Sequence, residues 1–185
     1  MKPMKNNIKN PLSDECYTPS GQVQFILPYI PKEVKIIWCP CDTEYSYIVK
    51  DLLKAGYEVV SSHIKDGFDF FNYEPLMYDC ILTNPPFSIK TKFLKRCYAL
   101  GKPFFLLLPL TTLEGFRGEM FENYGINLAV LRKRVDFYSP IQKRKGKSSC
   151  WFNTSWFFGN VSQKNQLYFI DNTNEENEEQ LCFQI

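Results

Sequence analysis

The chain has 185 residues, 44% of them hydrophobic and 16% aromatic, and a formal net charge of +2. That size fits one domain with one sizeable core, and that composition excludes an intrinsically disordered chain. The near-neutral balance excludes a nucleic-acid binder built on bulk charge, so any such contact must rest on a local patch.

The first twenty residues carry Lys2, Lys5, Lys9 and several asparagines, which is not the pattern of a secretory leader. No run approaches the roughly 18 apolar residues that a membrane helix needs, and no membrane partner is expected. Seven cysteines are spaced in no disulfide pattern, which points to free thiols and a cytoplasmic location. Cys39 and Cys41 are close enough to suggest zinc, but a single histidine makes a four-ligand set hard to assemble, so no metal is expected.

Residues 1–12 read as a flexible N-terminal segment, 13–171 as one domain, and 172–185 as an acidic tail with Glu175, Glu176, Glu178 and Glu179. Thr18 and Pro19 suit the start of a helix, as cap and first helical residue, ahead of Val23, Phe25, Ile26 and Leu27. The apolar run 34–38 predicts a buried strand. Tyr45, Ile48, Val49, Leu52 and Leu53 share one helical face, so 44–55 predicts a helix, closed by Gly56. Strands are expected at 57–61, 80–83, 104–108 and 127–131, and helices at 90–99 and 113–124. Residues 135–138, 151–158 and 167–170 read as strands with no helix between them.

Strand and helix in alternation predict right-handed crossovers and a doubly wound, mainly parallel α/β sheet of Rossmann-like type. The closing strands predict an antiparallel C-terminal edge. Ligands bind such sheets at the carboxyl ends of the strands, which directs attention to the loops at 39–44, 61–69 and 84–89.

The third of these loops carries chemistry. Asn84-Pro85-Pro86-Phe87 follows a buried strand. Neither proline has an N–H, and Pro86 holds Pro85 extended. The Asn84 side-chain oxygen and the Pro85 carbonyl can therefore act as two acceptors aimed at one place. An aromatic amine is a poor nucleophile, because its lone pair is spread into the ring. Two acceptors on its two hydrogens favour a pyramidal nitrogen and stabilise the positive charge that develops on attack. Phe87 would offer a face for the base to stack on.

These residues resemble the (N/D)PP(Y/F) motif of S-adenosylmethionine-dependent amino methyltransferases. Taken with Ile37-Trp38-Cys39-Pro40-Cys41-Asp42, Ser62-His63-Ile64 and Gly67-Phe68-Asp69-Phe70-Phe71, they resemble small adenine-N6 methyltransferase-like proteins of phages and mobile elements, over roughly residues 13–160. The resemblance implies a class I methyltransferase fold, S-adenosylmethionine as cofactor, and an adenine-containing nucleic acid as partner, DNA ahead of RNA. It assigns the catalytic loop to Asn84, Pro85, Pro86 and Phe87. It assigns the cofactor to Tyr17, Thr18, Cys39, Pro40, Asp42, His63, Asp69 and Phe70, with Tyr17-Thr18-Pro19 near the methionine part and Asp69 on the adenine amine. Asp66 is a second acid near that position.

Two departures stand out. The loop after the first strand holds no glycine where that superfamily has a glycine-rich turn. Either Asp42 and the backbone near Pro40 contact the cofactor differently, or the pocket is narrowed. Asp42 or Thr43 as a helix cap is the structural alternative. After the second strand, Ser61-Ser62-His63 stands in place of an acid for the ribose hydroxyls. His63 then either touches ligand or serves structure.

Lys143, Arg144, Lys145 and Lys147 form a basic run suited to phosphates, or else a solvated face. Trp151, Phe152, Trp156, Phe157 and Phe158 follow it and read as core strand ahead of a stacking platform, although strand alternation cannot bury all of them on one face. The expected function is methyl transfer to adenine N6. The alternatives are a catalytically degenerate fold that binds nucleic acid or a host protein, and a methyltransferase for glutamine or a small-molecule amine.

Overall fold

The computed structural model describes residues 16–138 and 152–173. They form a seven-stranded sheet with the order β2-β1-β3-β4-β6-β5-β7. The strands are β1 (Ile36–Pro40), β2 (Glu58–Ser62), β3 (Cys80–Thr83), β4 (Phe104–Pro109), β5 (Asn127–Leu131), β6 (Thr154–Gly159) and β7 (Leu167–Ile170). Helices α1 (Tyr47–Lys54), α2 (Lys90–Leu100) and α3 (Gly118–Tyr124) fill the crossovers from β1 to β2, from β3 to β4 and from β4 to β5. Every pairing is parallel except those of β6, which runs against both neighbours. This is the doubly wound, mainly parallel α/β fold of Rossmann-like type that the strand and helix alternation predicts.

The antiparallel element is not at the edge. β6 lies between β4 and β5, and the outer strand β7 is parallel to β5. Local patterning does not encode strand order, so the insertion leaves no mark in it. Its consequence is visible in β6, where every residue is buried, Trp156, Phe157 and Phe158 among them. An interior strand has both faces covered, so these three aromatics are core, the first of their two readings.

Alternation in the central strands sorts the core. Trp38, Ile81 and Phe104 lie in register on one face, and Ile37, Cys80, Leu82 and Phe105 project from the other. The first face carries α2, whose Tyr98 meets Phe104 edge-on at 5.0 Å. The second faces the short turns at Val23–Phe25 and Leu27–Tyr29, where Tyr29 lies 5.6 Å from Phe158, itself stacked on Phe105 at 5.1 Å. Right-handed crossovers put α1 on the side opposite α2 and α3.

Four other expectations change. Residues 135–138 make no strand: Tyr138 forms a single antiparallel bridge with Tyr17. The alternation of buried Val135 and Phe137 is real, and the backbone bridge of this segment goes to the short stretch before the first turn. The helix expected over 113–124 is broken into two 3-10 turns and a seven-residue α3, with Gly115 at a φ of +73° interrupting it. Thr18 and Pro19 do not open an α-helix, since 3-10 turns follow instead. Asn172, assigned to the tail by its neighbours, is buried and bonds both ways with Lys133, at 2.6 and 2.8 Å.

Candidate active site at the switch between β1 and β3

The strand order reverses between β1 and β3, since β1 continues outward to β2 and β3 continues to β4. Diverging loops leave a crevice at such a switch, on the carboxyl side. The turn after β1 and the Asn84 loop after β3 both sit there.

Thr83, the last residue of β3, ties the two strand ends together. Its fully buried hydroxyl donates to the Pro40 carbonyl and lies 2.8 Å from a carboxylate oxygen of Asp42. Asp42 is only 8% exposed. Burial pushes its carboxyl up to about 7, although hydrogen bonds from Thr83 and Ser46 pull the other way. A hydroxyl has one proton, and a carbonyl can only accept. When Thr83 donates to Pro40, a protonated Asp42 can donate to Thr83, which suits the raised value. The cap of α1 is Ser46, whose hydroxyl accepts from Val49 N–H at 3.3 Å, so neither Asp42 nor Thr43 has that role.

The turn without glycine still uses a left-handed backbone. Cys41 has a φ of +76°. Its N–H donates to the Ser62 carbonyl at 2.8 Å, which joins the β1 turn to the end of β2. A residue with a side chain pays roughly 1–2 kcal/mol for this conformation. Cys39 is completely buried with its thiol pushed up, first by burial and then by Asp42, so its side chain belongs to the core.

Asn84 follows Thr83 directly. Its side-chain N–H donates to the Cys16 carbonyl at 2.9 Å. Because Cys16 offers only an acceptor there, the amide orientation is determined, and Asn84 Oδ1 is left buried with no hydrogen-bond partner. Thr18 Oγ1 is likewise buried and unpartnered. Segment 16–21 is pinned by the Tyr17–Tyr138 bridge at 2.7 and 3.0 Å and by Gly21 N–H and Ser20 O–H donating to Asp51 at 2.7 and 3.2 Å. The fold thus brings Cys16, two residues before Thr18, against Asn84, although they are 68 positions apart in the chain. A buried acceptor without a donor costs about 1–3 kcal/mol, which a folded chain tolerates where a ligand will supply the partner.

Pro85 is buried and Pro86 half-buried. Phe87 is not an open platform: it is 9% exposed and met edge-on by Phe137 at 6.0 Å and Phe152 at 5.4 Å.

The adenosine side assigned by resemblance is engaged internally. His63 Nδ1 accepts from Lys65 N–H at 3.1 Å and caps a 3-10 turn, the structural of its two readings. The Asp69 carboxylate accepts from Phe71 N–H at 3.0 Å and from the Asn72 side chain at 2.9 Å. Phe70 is a core residue, stacked on Phe93 at 4.2 Å and 7° and packed 5.2 Å from Trp38. Patterning could not separate a ring that lines a ligand from one that fills the space under α2. Trp38 organises the same region, and nothing in its pattern marks this: its buried N–H donates to Ser62 Oγ at 2.8 Å. Lys143, Arg144, Lys145 and Lys147, and Trp151, lie outside the described residues.

No family model matches the chain, and no curated protein matches it. Among solved structures, it is similar to a candidate methyltransferase from Thermoplasma acidophilum, with 16% sequence identity and a TM-score of 0.32 over 74% of this chain and 71% of that one. A likeness of that size carries no functional weight, so function rests on the residues themselves. Among the described residues no helix is long and apolar enough to cross a membrane, and no cluster of side chains could hold a metal ion.

The donor set fits S-adenosylmethionine at one end. Thr18 Oγ1 and the polar backbone of the β1 turn suit the charged methionine part, and the Cys41 backbone already has the left-handed form that a glycine would take. At the other end Asp69 can exchange its bond from the exposed Asn72 for one from a ligand amine.

Proposed function

We propose that this chain transfers a methyl group from S-adenosylmethionine to an exocyclic amine, with adenine N6 in DNA or RNA as the substrate. The observation that carries the reading is Asn84 Oδ1, a buried acceptor with no donor, oriented by Cys16 at the mouth of the switch point.

The cofactor, when bound, supplies an electrophilic methyl group on a sulfonium. Asn84 Oδ1 accepts one N–H of the amine and the Pro85 carbonyl accepts the other. Held this way, the nitrogen turns its lone pair out of conjugation, and the two acceptors stabilise its growing positive charge. The proton is lost to water after transfer. Thr18, Asp42 and Asp69 would hold the cofactor, and Phe87 backs the loop. Lys143, Arg144, Lys145 and Lys147 would meet phosphates. An adenine reaches such a pocket only outside a base stack, so single strands are favoured over duplex.

Calorimetric titration with S-adenosylmethionine, followed by nucleoside mass spectrometry of an adenine-containing single strand, tests this. Heat of binding and N6-methyladenine are expected. Absence of both at millimolar cofactor overturns it.

A second reading is a binding protein that has lost turnover. It is favoured by the internal bonds of His63, Asp69 and Phe70, which leave the adenosine side closed. Oligonucleotide binding without any cofactor heat would establish it instead.

A further inference from the structure

α2 leaves the Asn84 loop at Lys90, on the β4 side of the site, away from β1. Between α2 and α3 runs an open cleft of about 310 Å³ lined by Thr91, Lys95, Phe116, Arg117, Glu119 and Tyr124, among others. Helices that follow parallel strands start at the carboxyl edge, so Thr91 stands at the end of the cleft nearest Asn84. Tyr124, stacked on Tyr98 at 4.9 Å, closes the other end.

The cleft has the chemistry of a polyanion seat. α2 carries Lys90, Lys92, Lys95 and Arg96 and no acid. Arg96 turns away, its guanidinium 5.4 Å over Phe70, and Lys90 reaches back to the Phe87 carbonyl. Lys95 is exposed in the cleft with no ion-pair partner among the described residues. Arg117 is fixed by the carbonyls of Thr112 and Thr111 at 2.6 and 2.9 Å, which use two of its N–H groups and leave its charge uncompensated. The acid in the cleft, Glu119, pairs with neither cation among the described residues. Arg117 covers one face of Phe116 at 5.3 Å, and that ring is still 75% exposed. An exposed aromatic ring beside fixed cations is the arrangement that stacks a base while its phosphates are neutralised.

We infer that the α2–α3 cleft seats a single-stranded nucleic acid flanking the reactive nucleotide, with phosphates at Lys95 and Arg117 and a base on Phe116. The inference rests on the proposed substrate class, and it divides the switch point into a cofactor side at β1 and a strand side at β4.

The test is fluorescence anisotropy of the full chain with a labelled oligothymidine, which offers no adenine and so reads strand binding apart from methyl transfer. Lys95→Glu should weaken binding about tenfold at low salt and reduce the slope of log affinity against log salt by about one. Phe116→Ala should weaken it about tenfold with the slope unchanged. Both side chains are exposed, so melting temperature and cofactor affinity should not move. Wild-type affinity and slope in both variants would overturn the cleft. Failure of methyl transfer with these binding effects intact would instead sink the catalytic reading and leave the cleft standing.

Discussion

Thr83 and Asp42 meet 2.8 Å apart where the ends of β1 and β3 converge, and the same Thr83 hydroxyl bonds to the Pro40 carbonyl. The pair links the turn without glycine to the Asn84 loop, so its protonation state is felt by both halves of the site.

Asp42 gives a pH-dependent stability. Its carboxyl is raised from 3.8 to about 7, so the folded state binds a proton that the unfolded chain has released. That contribution is full below about pH 4 and is lost as pH rises towards 7. Asp42→Asn removes the dependence. Its stability should match the wild type near pH 4 and exceed it at pH 8 by an amount approaching roughly 4 kcal/mol, read as a higher melting temperature. Parallel melting curves across that range would show the carboxyl to be ordinary.

Cys41 should behave as a glycine position. At a φ of +76° a β-branched side chain is worse than cysteine, and glycine is free of strain. Cys41→Val should be less stable than Cys41→Gly by about 2 kcal/mol, measured by urea denaturation. Equal stabilities would show that the turn relaxes.

Thr18 sets stability against binding. Its hydroxyl is buried and unpartnered, so Thr18→Val should stabilise the free protein by about 1 kcal/mol. The same change should weaken S-adenosylmethionine, because the hydroxyl is the group awaiting it. A variant that gains stability and keeps full cofactor affinity would remove Thr18 from the site.

Phe70 separates core from ligand. It is buried against Phe93 and Trp38, so Phe70→Ala should cost about 3–5 kcal/mol without any ligand present. A variant of near wild-type stability would return Phe70 to the cofactor list.

The strands were legible where buried runs are short and bounded: β3, β5 and β7 fall where their apolar residues end. β1 runs two residues further than its apolar pattern, because Pro40 closes a strand whose next N–H, that of Cys41, still reaches Ser62. The place of β6 was not legible, since pairing order depends on contacts between distant segments. The Asn84 loop was legible because prolines restrict a backbone in any context. Its partner Cys16 was not, because a carbonyl 68 residues away leaves no mark on composition. The assignments of Phe70 and His63 differ for the same reason: an aromatic or a histidine looks alike in sequence whether it meets a ligand or its own chain.

The central claim is that Asn84 Oδ1 holds the reactive amine. Its most direct test is labelled methyl transfer from S-adenosylmethionine to an adenine-containing single strand, with wild type and Asn84→Ala side by side and cofactor affinity measured on both. The account predicts methylation by wild type and at least a hundredfold loss in the variant, roughly what one transition-state acceptor is worth, at nearly unchanged cofactor affinity. Equal methylation by both proteins would contradict it.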